Sequence, residues 1–276
     1  MDLLKVIQEY INCYKEKCKD EYEKISNDKK LKVLKKKLAK MKDLKEIDKI
    51  IFDIYSNKNQ KDFELCAFKK CSIIKNYQEL KINSLIKKIK IFEIKFSNDI
   101  QIKYDNLIKL FSKHSLNDEE YIDFIILFYY FEKIIELKVM EKLFIIFKHW
   151  DDYSKCSKKN CKNLYNDVNN DEELKNKKSL IFQYYNNDDE RNKVIRDIYS
   201  NEKQVKLDKC VVNNCNKILL NLIQYTLKHF NNIIKAYDIK IPKDIQLANI
   251  KKITEEDIPE IMIKYNQIFN YSNKYD

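Results

Sequence analysis

Glycine is absent from all 276 residues of the chain, and proline, arginine and alanine are almost absent, with two, two and four residues respectively. Phosphate-binding loops and nucleophile elbows need backbone without a Cβ atom. The absence of glycine therefore excludes a standard P-loop, a dinucleotide-binding fingerprint, a kinase glycine loop and a Gly-x-Ser-x-Gly elbow. The depleted residues are those with G/C-rich codons, which indicates a very A/T-rich genome.

The scarcity of arginine weakens the usual inference from a basic chain. The formal net charge is +11 and the pI is about 9.0, values that ordinarily suggest nucleic acid or an anionic surface as partner. Of the 54 basic residues, however, 52 are lysine, and the arginines that read bases and hold phosphates through two hydrogen bonds are nearly missing. We therefore interpret much of the positive charge as codon supply.

Long apolar runs and catalytic groupings are missing too. The longest apolar run, residues 124–131, has 8 residues, against the roughly 20 that span a bilayer. No basic stretch precedes an apolar one at the start of the chain, so we expect neither a transmembrane segment nor a secretory signal. The three histidines are isolated and no Cys-x-x-Cys motif occurs. We predict a non-enzymatic protein without a cofactor.

The cysteines that are present form a regular pattern. The eight residues make four Cys-x4-Cys motifs, and the first two motifs stand 53 residues apart while the last two stand 54. A shift of 144 positions places residues 53–57, Asp-Ile-Tyr-Ser-Asn, on the same five residues at 197–201. The pattern predicts an internal duplication with a closed set of four cysteines in each repeat. The motifs are Cys13/Cys18, Cys66/Cys71, Cys156/Cys161 and Cys210/Cys215.

Apolar residues recur with helical spacing almost throughout, which predicts an all-α fold of two tandem helical repeats. Without glycine, Asn, Asp and Ser clusters must end one helix and cap the next, giving helices of about 12 to 30 residues. Residues 86–96 partly alternate apolar and polar as a strand would, but no second segment could pair with them, so we favour a helix. Pro242 and Pro259 fit helix starts.

The repeats divide the chain into four parts. We predict helical repeat one at 1–100, a connecting buried helical segment at 101–143, helical repeat two at 144–240 and a C-terminal helical tail at 241–276. Residues 121–137 are apolar nearly all round, which indicates a helix covered on most sides. Tyr55 and Tyr199 should occupy equivalent, largely buried positions.

The cysteine sets admit three chemical interpretations. Disulfides are favoured by the even pairing and the loop lengths. A four-thiolate zinc site in each repeat has the right ligand number but lacks the usual Cys-x2-Cys knuckle, and reduced buried thiols are the third possibility. Positions i and i+5 lie roughly 140° apart around a helix, so the two cysteines of one motif should not face one partner from a regular helix.

The paired motifs resemble, in outline, the twin-cysteine helical hairpins of the mitochondrial intermembrane space, in which two bridges join antiparallel helices. Those proteins place three or nine residues between the cysteines and use a connection far shorter than the 47 residues here. An antiparallel hairpin would pair the outer cysteines with each other and the inner cysteines with each other in each repeat. Bridges within each motif are the competing connectivity.

A lysine cluster occupies residues 29–45 and forms a possible basic contact surface around an apolar stripe. Repeat two does not copy it. A basic amphipathic helix can bind phosphates or an anionic membrane face, but we prefer a solvated surface. The cluster consists of Lys29, Lys30, Lys32, Lys35, Lys36, Lys37, Lys40, Lys42 and Lys45.

These features together predict a structural or interaction component of a larger assembly, with other proteins as its partners. A minor (inner) capsid or virion structural protein of a large A/T-rich DNA virus is the most specific expectation, located in the virion or the host cytoplasm. The alternatives are a lysine-rich protein that binds nucleic acid or anionic membranes, and a twin-cysteine protein of the mitochondrial intermembrane space.

Overall fold

The computed structural model describes residues 3–184, 187–238, 257, 258, 260, 261 and 263, which are helical with short connections and contain no strand. Pro242, Pro259 and most of the predicted tail lie outside these residues. The first six helices are α1 Leu3–Lys17, α2 Lys19–Asn27, α3 Lys29–Lys40, α4 Leu44–Tyr55, α5 Lys58–Lys70 and α6 Ile74–Ile91. The others are α7 Asn98–Phe111, α8 Asp118–Asn160, α9 Lys162–Asn169, α10 Glu172–Gln183, α11 Asp188–Tyr199 and α12 Glu202–Ala236.

The chain forms two compact units. Unit 1 contains residues 1–89 and 93–140, and unit 2 contains residues 90–92 and 141–276. Helix α8 contributes its first part to unit 1 and the remainder to unit 2. In unit 1, α5 packs against α1, α2 and α4, and α3 packs against α4; in unit 2, α9 and α11 pack against α12, and α10 packs against α9 and α11.

Asparagine and aspartate side chains cap the helices, as expected for a chain without glycine. Asp28 accepts a hydrogen bond from the Leu31 amide at 3.0 Å before α3, and Asp171 accepts one from the Leu174 amide at 3.0 Å before α10. Asn57, Asn187 and Asn201 cap α5, α11 and α12 in the same way. Each such cap is worth about 1 kcal/mol.

Helix lengths differ from the expected 12 to 30 residues in both directions. Helix α8 has 43 residues and α12 has 35, whereas α2 has 9 and α9 has 8. The polar clusters mark where a helix can start, but how far the helix continues depends on the apolar face that it buries.

The segment at 86–96 is not a strand. Helix α6 continues to Ile91, and the chain then turns through Glu93, which has a φ of 47°. The Ile94 amide donates to the Ile89 carbonyl at 3.0 Å, which closes the turn. The favoured helix is therefore confirmed for residues 86–91, and residues 92–96 form the connection to α7.

Aromatic side chains of α8 form the centre of unit 1. Residues 121–137 lie on most sides against other helices, as their apolar composition predicts. Full burial of one such side chain stabilises the fold by roughly 1.5–3 kcal/mol. The largest completely buried side chains of α8 are Tyr121, Phe124, Phe128, Phe131, Ile134 and Ile135.

The core of unit 2 is built largely from branched aliphatic side chains around α12. Leu174 on α10 is completely buried, like Leu31 in unit 1, whose amide also donates to the aspartate that caps its helix. The other buried members include Val168, Val194, Ile198, Val211 and Leu219.

Four disulfides join the helices, two in each unit, and they have the antiparallel connectivity. Each bridges Cα atoms 5.9–6.1 Å apart, and no cysteine is free. The pairs are Cys13–Cys71, Cys18–Cys66, Cys156–Cys215 and Cys161–Cys210. All eight sulfur atoms are therefore bonded to sulfur, rather than being free to ligate a metal.

The prediction that the two cysteines of one motif do not share a regular helix is confirmed for three motifs and is wrong for the fourth. Cys18 and Cys161 interrupt the chain between helices, with φ/ψ of −126°/36° and −124°/32°, and Cys71 lies just beyond the end of α5. Cys210 and Cys215, however, both lie within α12. Their partners are Cys156, within α8, and Cys161, at the break between α8 and α9.

We expect the bridges to stabilise each unit separately. Replacing Cys18 and Cys66 by serine opens a loop of 48 residues and should cost unit 1 about 4 kcal/mol, mainly by freeing its unfolded chain. Amide hydrogen exchange should accelerate in α2 and α5 and stay unchanged in α9 and α12.

The matched control is the serine pair at Cys161 and Cys210, which should reverse the pattern. Peptide mapping without reductant should find only links within a unit. A peptide joining Cys13 or Cys18 to Cys210 or Cys215 would contradict the closed sets.

Candidate functional site

A buried carboxylate on α5 is the most unusual polar feature of unit 1. Glu64 is 4% exposed and Gln60, one turn earlier, is 3% exposed. The Gln60 amide nitrogen Nε2 donates to Glu64 Oε1 at 2.8 Å. Lys35 is exposed as a residue, but its Nζ reaches inward from α3 and donates to Gln60 Oε1 at 3.0 Å. The amide of Gln60 thus connects an ammonium group to a carboxylate.

Burial dominates the ionisation of both charged ends of this Lys35–Gln60–Glu64 chain. It raises the pKa of Glu64 to about 7, and the hydrogen bond from Gln60 and the charge of Lys35 offset only part of the effect. Burial also lowers the pKa of Lys35, against the opposing influence of Glu64 and Asp28. Glu64 therefore changes its charge near neutral pH, which is unusual for a carboxyl group.

A cavity of about 770 Å³ lies beside this chain within unit 1. Tyr10 stacks on Tyr77 and Tyr55 stacks on Tyr129, with ring centroids 4.9 Å apart in both pairs. These rings line the cavity together with Glu64. Its size is within the range of small-molecule pockets.

Unit 2 contains a similar amide and carboxylate. Gln204 Nε2 donates to Asp208 Oδ1 at 2.8 Å on α12, and each residue is 7% exposed. Burial raises the pKa of Asp208 to about 6, with Gln204 and Lys178 acting in the opposite direction. Tyr153 and Tyr199 are both near enough for the Asp208 charge to raise their pKa values, although burial is the larger cause for each.

The Gln204–Asp208 pair lines a smaller cavity, of about 140 Å³. Aromatic walls are provided by Trp150, Tyr153 and Tyr199. Thr226 also lines it, but its hydroxyl donates to the Leu222 carbonyl at 2.8 Å and is thereby satisfied.

The two units differ in how the glutamine oxygen is used. In unit 1, Lys35 donates to Gln60 Oε1, whereas in unit 2 Gln204 Oε1 is buried and receives no hydrogen bond from the described residues. Lys178, on α10, is half-buried, and its charge influences Asp208, but it does not reach Gln204 Oε1. The orientation of the Gln204 amide follows from its nitrogen facing the carboxylate.

Tyr55 and Tyr199 line these two cavities. Tyr55 is 6% exposed, as expected, while Tyr199 is half-buried. The expectation of a largely buried position is thus met more fully in unit 1.

The lysine cluster of residues 29–45 lies on the surface of unit 1. All nine residues are exposed, although the end of the Lys35 side chain reaches Gln60, while Leu31 is buried and the rest of the apolar stripe is half-buried. In the part of the chain that the structure describes, only Lys35 and Lys37 of the nine have polar partners, Gln60 and Glu46. In unit 2, α10 instead forms the ion pairs Lys175–Glu172 and Lys177–Glu173, which agrees with its mixed charge.

An exposed aromatic stripe runs along the part of α8 in unit 2. Phe144 is 70% exposed, Phe147 65% and Trp150 43%. Their spacing of three residues places them on one side of the helix. We call these three residues the α8 aromatic stripe. An apolar surface of this kind marks an interaction site more often than a lone exposed residue does.

The eight disulfide cysteines do not gather other ligands around them. Within residues 3–184, 187–238 and the few described residues beyond, no group of three or more His, Cys, Asp or Glu side chains could hold a metal ion. None of the helices in that part of the chain combines the length and apolarity needed to cross a bilayer.

Comparison with protein-family models, with curated proteins and with solved structures finds no match for the chain.

Sequence reasoning identified the cysteines and lysines but missed the buried carboxylates. Glu64 and Asp208 each follow a glutamine by four residues, a spacing that usually indicates an exposed polar pair on a helix. A signal was available, because Gln60 and Gln204 are equivalent under the shift of 144 and an acidic residue follows each of them.

We expect Glu64→Gln to change how stability depends on pH. The folded-state pKa of Glu64, about 7, lies above its unfolded value. Stability from this group is therefore fully present below about pH 4.3 and is lost as pH rises through about 7. The glutamine variant still accepts the hydrogen bond from Gln60 but never ionises, so it should gain on the order of 3 kcal/mol relative to the parent between about pH 4.3 and 8.

Chemical denaturation at a series of pH values measures this difference. Glu23→Gln, an exposed carboxylate on α2, is the matched control. If the difference in unfolding free energy between parent and Glu64→Gln did not change with pH, burial would not raise the pKa of Glu64 in the folded chain.

Proposed function

We propose that the protein is a non-enzymatic structural component that assembles with other proteins through the α8 aromatic stripe. The observation that carries this proposal is the exposure of Phe144, Phe147 and Trp150 on one side of a long helix. Water-exposed aromatic side chains are costly, and burial in an interface recovers that free energy. The second copy of the chain is the first partner that we consider, since it is present in any preparation.

The disulfides and the sequence pattern support a durable building element. We propose that the two units arose by internal duplication, because the caps of α3 and α10, the breaks at Cys18 and Cys161, and the paired disulfides correspond. Disulfides persist in oxidising settings. A virion assembled with its own thiol oxidase is one such setting, so a minor capsid protein of an A/T-rich DNA virus is our most specific proposal.

Self-association through the stripe is directly testable. Sedimentation velocity at rising protein concentration should show the intact, oxidised chain forming dimers or larger species, and Phe144→Ser with Phe147→Ser should weaken association at least about tenfold, because two buried rings are worth several kcal/mol in an interface. Phe52→Ser, which removes a 58% exposed aromatic ring from α4 of unit 1, is the matched control.

A chain that remains monomeric at all concentrations would contradict assembly with itself. Equal weakening by the Phe52 control and the double variant would show that the stripe is not the interface.

Binding to an anionic polymer or membrane is the second candidate, favoured by the exposed and largely unpaired lysine cluster. Lys35 and Lys37 are unsuitable for testing it, because they contact Gln60 and Glu46. Lys32, Lys36 and Lys40 are exposed, recur every four residues on one side of α3 and have no polar partner among the described residues.

If phosphate contacts matter, DNA or RNA affinity should fall steeply with salt, and replacing Lys32, Lys36 and Lys40 by glutamine should reduce the salt slope by about 3 for duplex DNA. Fluorescence anisotropy across a salt series measures both quantities. Replacing Lys175, Lys203 and Lys206, which form ion pairs in unit 2, serves as a charge-matched control. We expect weak binding whose slope is the same in parent and variants; strong binding abolished only by the α3 substitutions would overturn the structural proposal.

A further inference from the structure

We propose that the Cys13–Cys71 disulfide of unit 1 is a site of thiol–disulfide exchange with a small anionic thiol, with the ammonium groups of Lys17 and Lys70 attracting the incoming thiolate. The bridges of unit 2 lack these two ammonium groups. This modification site goes beyond the proposed assembly function and does not depend on the α8 aromatic stripe.

The carbonyl groups of two lysines lie beside the disulfides of unit 1. Cys13 Sγ is 3.9 Å from the carbonyl oxygen of Lys70, which also accepts a hydrogen bond from Lys17 Nζ at 3.5 Å. In the same way, Cys66 Sγ is 3.7 Å from the carbonyl oxygen of Lys17, which accepts a hydrogen bond from Lys70 Nζ at 3.1 Å. Because an ammonium and a sulfur contact the same oxygen, they are closer together than the Debye length of about 8 Å at physiological ionic strength.

In unit 2 the same carbonyl contacts occur without a charged side chain. Cys156 Sγ is 3.8 Å from the carbonyl oxygen of Asn214, and an equal distance separates Cys210 Sγ from the carbonyl oxygen of Asn160. The side chains at these two positions are neutral amides, and Asn160 Nδ2 donates to Cys156 Sγ at 3.2 Å. The bridges of the two units therefore match in their backbone contacts and differ in the charge beside them.

Other lysines near the cysteine motifs do not reproduce the contact made by Lys17 and Lys70. Lys158 and Lys159 are exposed in the first motif of unit 2, and Lys158 Nζ lies 5.5 Å from the ring centre of Tyr165. Among the described residues, no other lysine donates to a carbonyl oxygen that also contacts a disulfide sulfur. The two ammonium groups are thus specific to unit 1.

Exposure identifies which bridge of unit 1 reacts. Cys13 is half-buried, whereas the other three cysteines of unit 1 are at most 8% exposed. The contact of Cys13 Sγ with the Lys70 carbonyl is also exposed. Unit 2 has two half-buried cysteines, Cys156 and Cys210, so exposure alone would favour exchange in unit 2. A preference for unit 1 must therefore come from charge.

The exchange is a displacement at sulfur. A thiolate RS⁻ attacks Cys13 Sγ, so that a new RS–Cys13 disulfide bond forms while the bond to Cys71 breaks and its electron pair leaves on Cys71 as a thiolate. A second RS⁻ attacks the RS sulfur of this mixed disulfide and releases RSSR and the Cys13 thiolate. Each step brings negative charge to these sulfur atoms, and a neighbouring ammonium group stabilises it.

Glutathione, whose net charge is negative, and cysteamine, which carries a positive amine, are suitable probes. The intact, oxidised chain is treated with each thiol, quenched with acid at intervals, alkylated and mapped by mass spectrometry. At an ionic strength of about 0.01 M, the ratio of the glutathione rate to the cysteamine rate should be at least about fivefold higher at Cys13–Cys71 than at Cys156–Cys215. At about 1 M salt the difference should largely disappear, because the Debye length falls to about 3 Å.

Exchanging the residues between the units gives matched controls. Lys17→Asn with Lys70→Asn places the amides of unit 2 in unit 1 and should abolish the difference between the two thiols. Lys17→Arg with Lys70→Arg keeps the charge and should retain it. Asn160→Lys with Asn214→Lys should give the glutathione preference to unit 2. Comparing two thiols on one variant cancels any effect of the substitutions on stability or local opening.

Equal rate ratios at the bridges of the two units would overturn the proposal. A higher ratio in unit 1 that persists at high salt, or in the Lys17→Asn and Lys70→Asn variant, would do the same, because the ammonium groups would then not be its cause.

Discussion

In each unit, two disulfides join the first cysteine motif to the second, and they constrain how the helices between the two motifs can fold. In unit 1 they attach α1 and the α1–α2 junction to the two ends of the cysteine motif on α5, over sequence separations of 58 and 48 residues. Loops of that length are costly to close, so the bridges remove much of the entropy of the unfolded chain. With α2 and α5 held together, the intervening α3 and α4 must fold back as a pair, and this brings Lys35 of α3 to Gln60 of α5.

The lack of glycine imposes a second constraint, because every reversal must use a residue with a Cβ atom. Asp and Asn side chains take the place of glycine by capping the next helix rather than by ending the previous one in a left-handed turn. Only Glu93 and Asp238 of the described residues have positive φ, 47° and 50°. Such positions cost on the order of 1 kcal/mol or more for residues other than glycine. Six of the eleven connections between α1 and α12 have only one or two residues.

The sequence allows the helical class, the caps and the closed set of four cysteines in each repeat to be predicted, because each follows from local chemistry or from the spacing of a repeated motif. Asp28, Asn57, Asp171 and Asn201 are recognisable as caps for this reason. Helix lengths and buried polar groups depend on which surfaces meet, and this information is not local. Nothing in the sequence near Cys210 and Cys215 indicates that α12 contains both residues. That arrangement depends on the helix break at Cys161, in the segment that carries their disulfide partners. The burial of Glu64 likewise depends on Lys35, 29 residues away in the sequence.

The polar groups beneath the helices connect the fold to its chemistry. A buried carboxylate is costly without a hydrogen-bonding partner, and in both units a glutamine one turn earlier supplies that partner from the same helix. The side-chain oxygen of that glutamine then needs a hydrogen-bond donor of its own, and this donor must come from a neighbouring helix. Unit 1 meets this requirement with Lys35, whose long side chain spans from the surface to the interior. In unit 2 the corresponding position leaves a polar acceptor beside a carboxylate and aromatic rings. The same local arrangement therefore has a satisfied acceptor in unit 1 and, among the described residues, an unsatisfied one in unit 2.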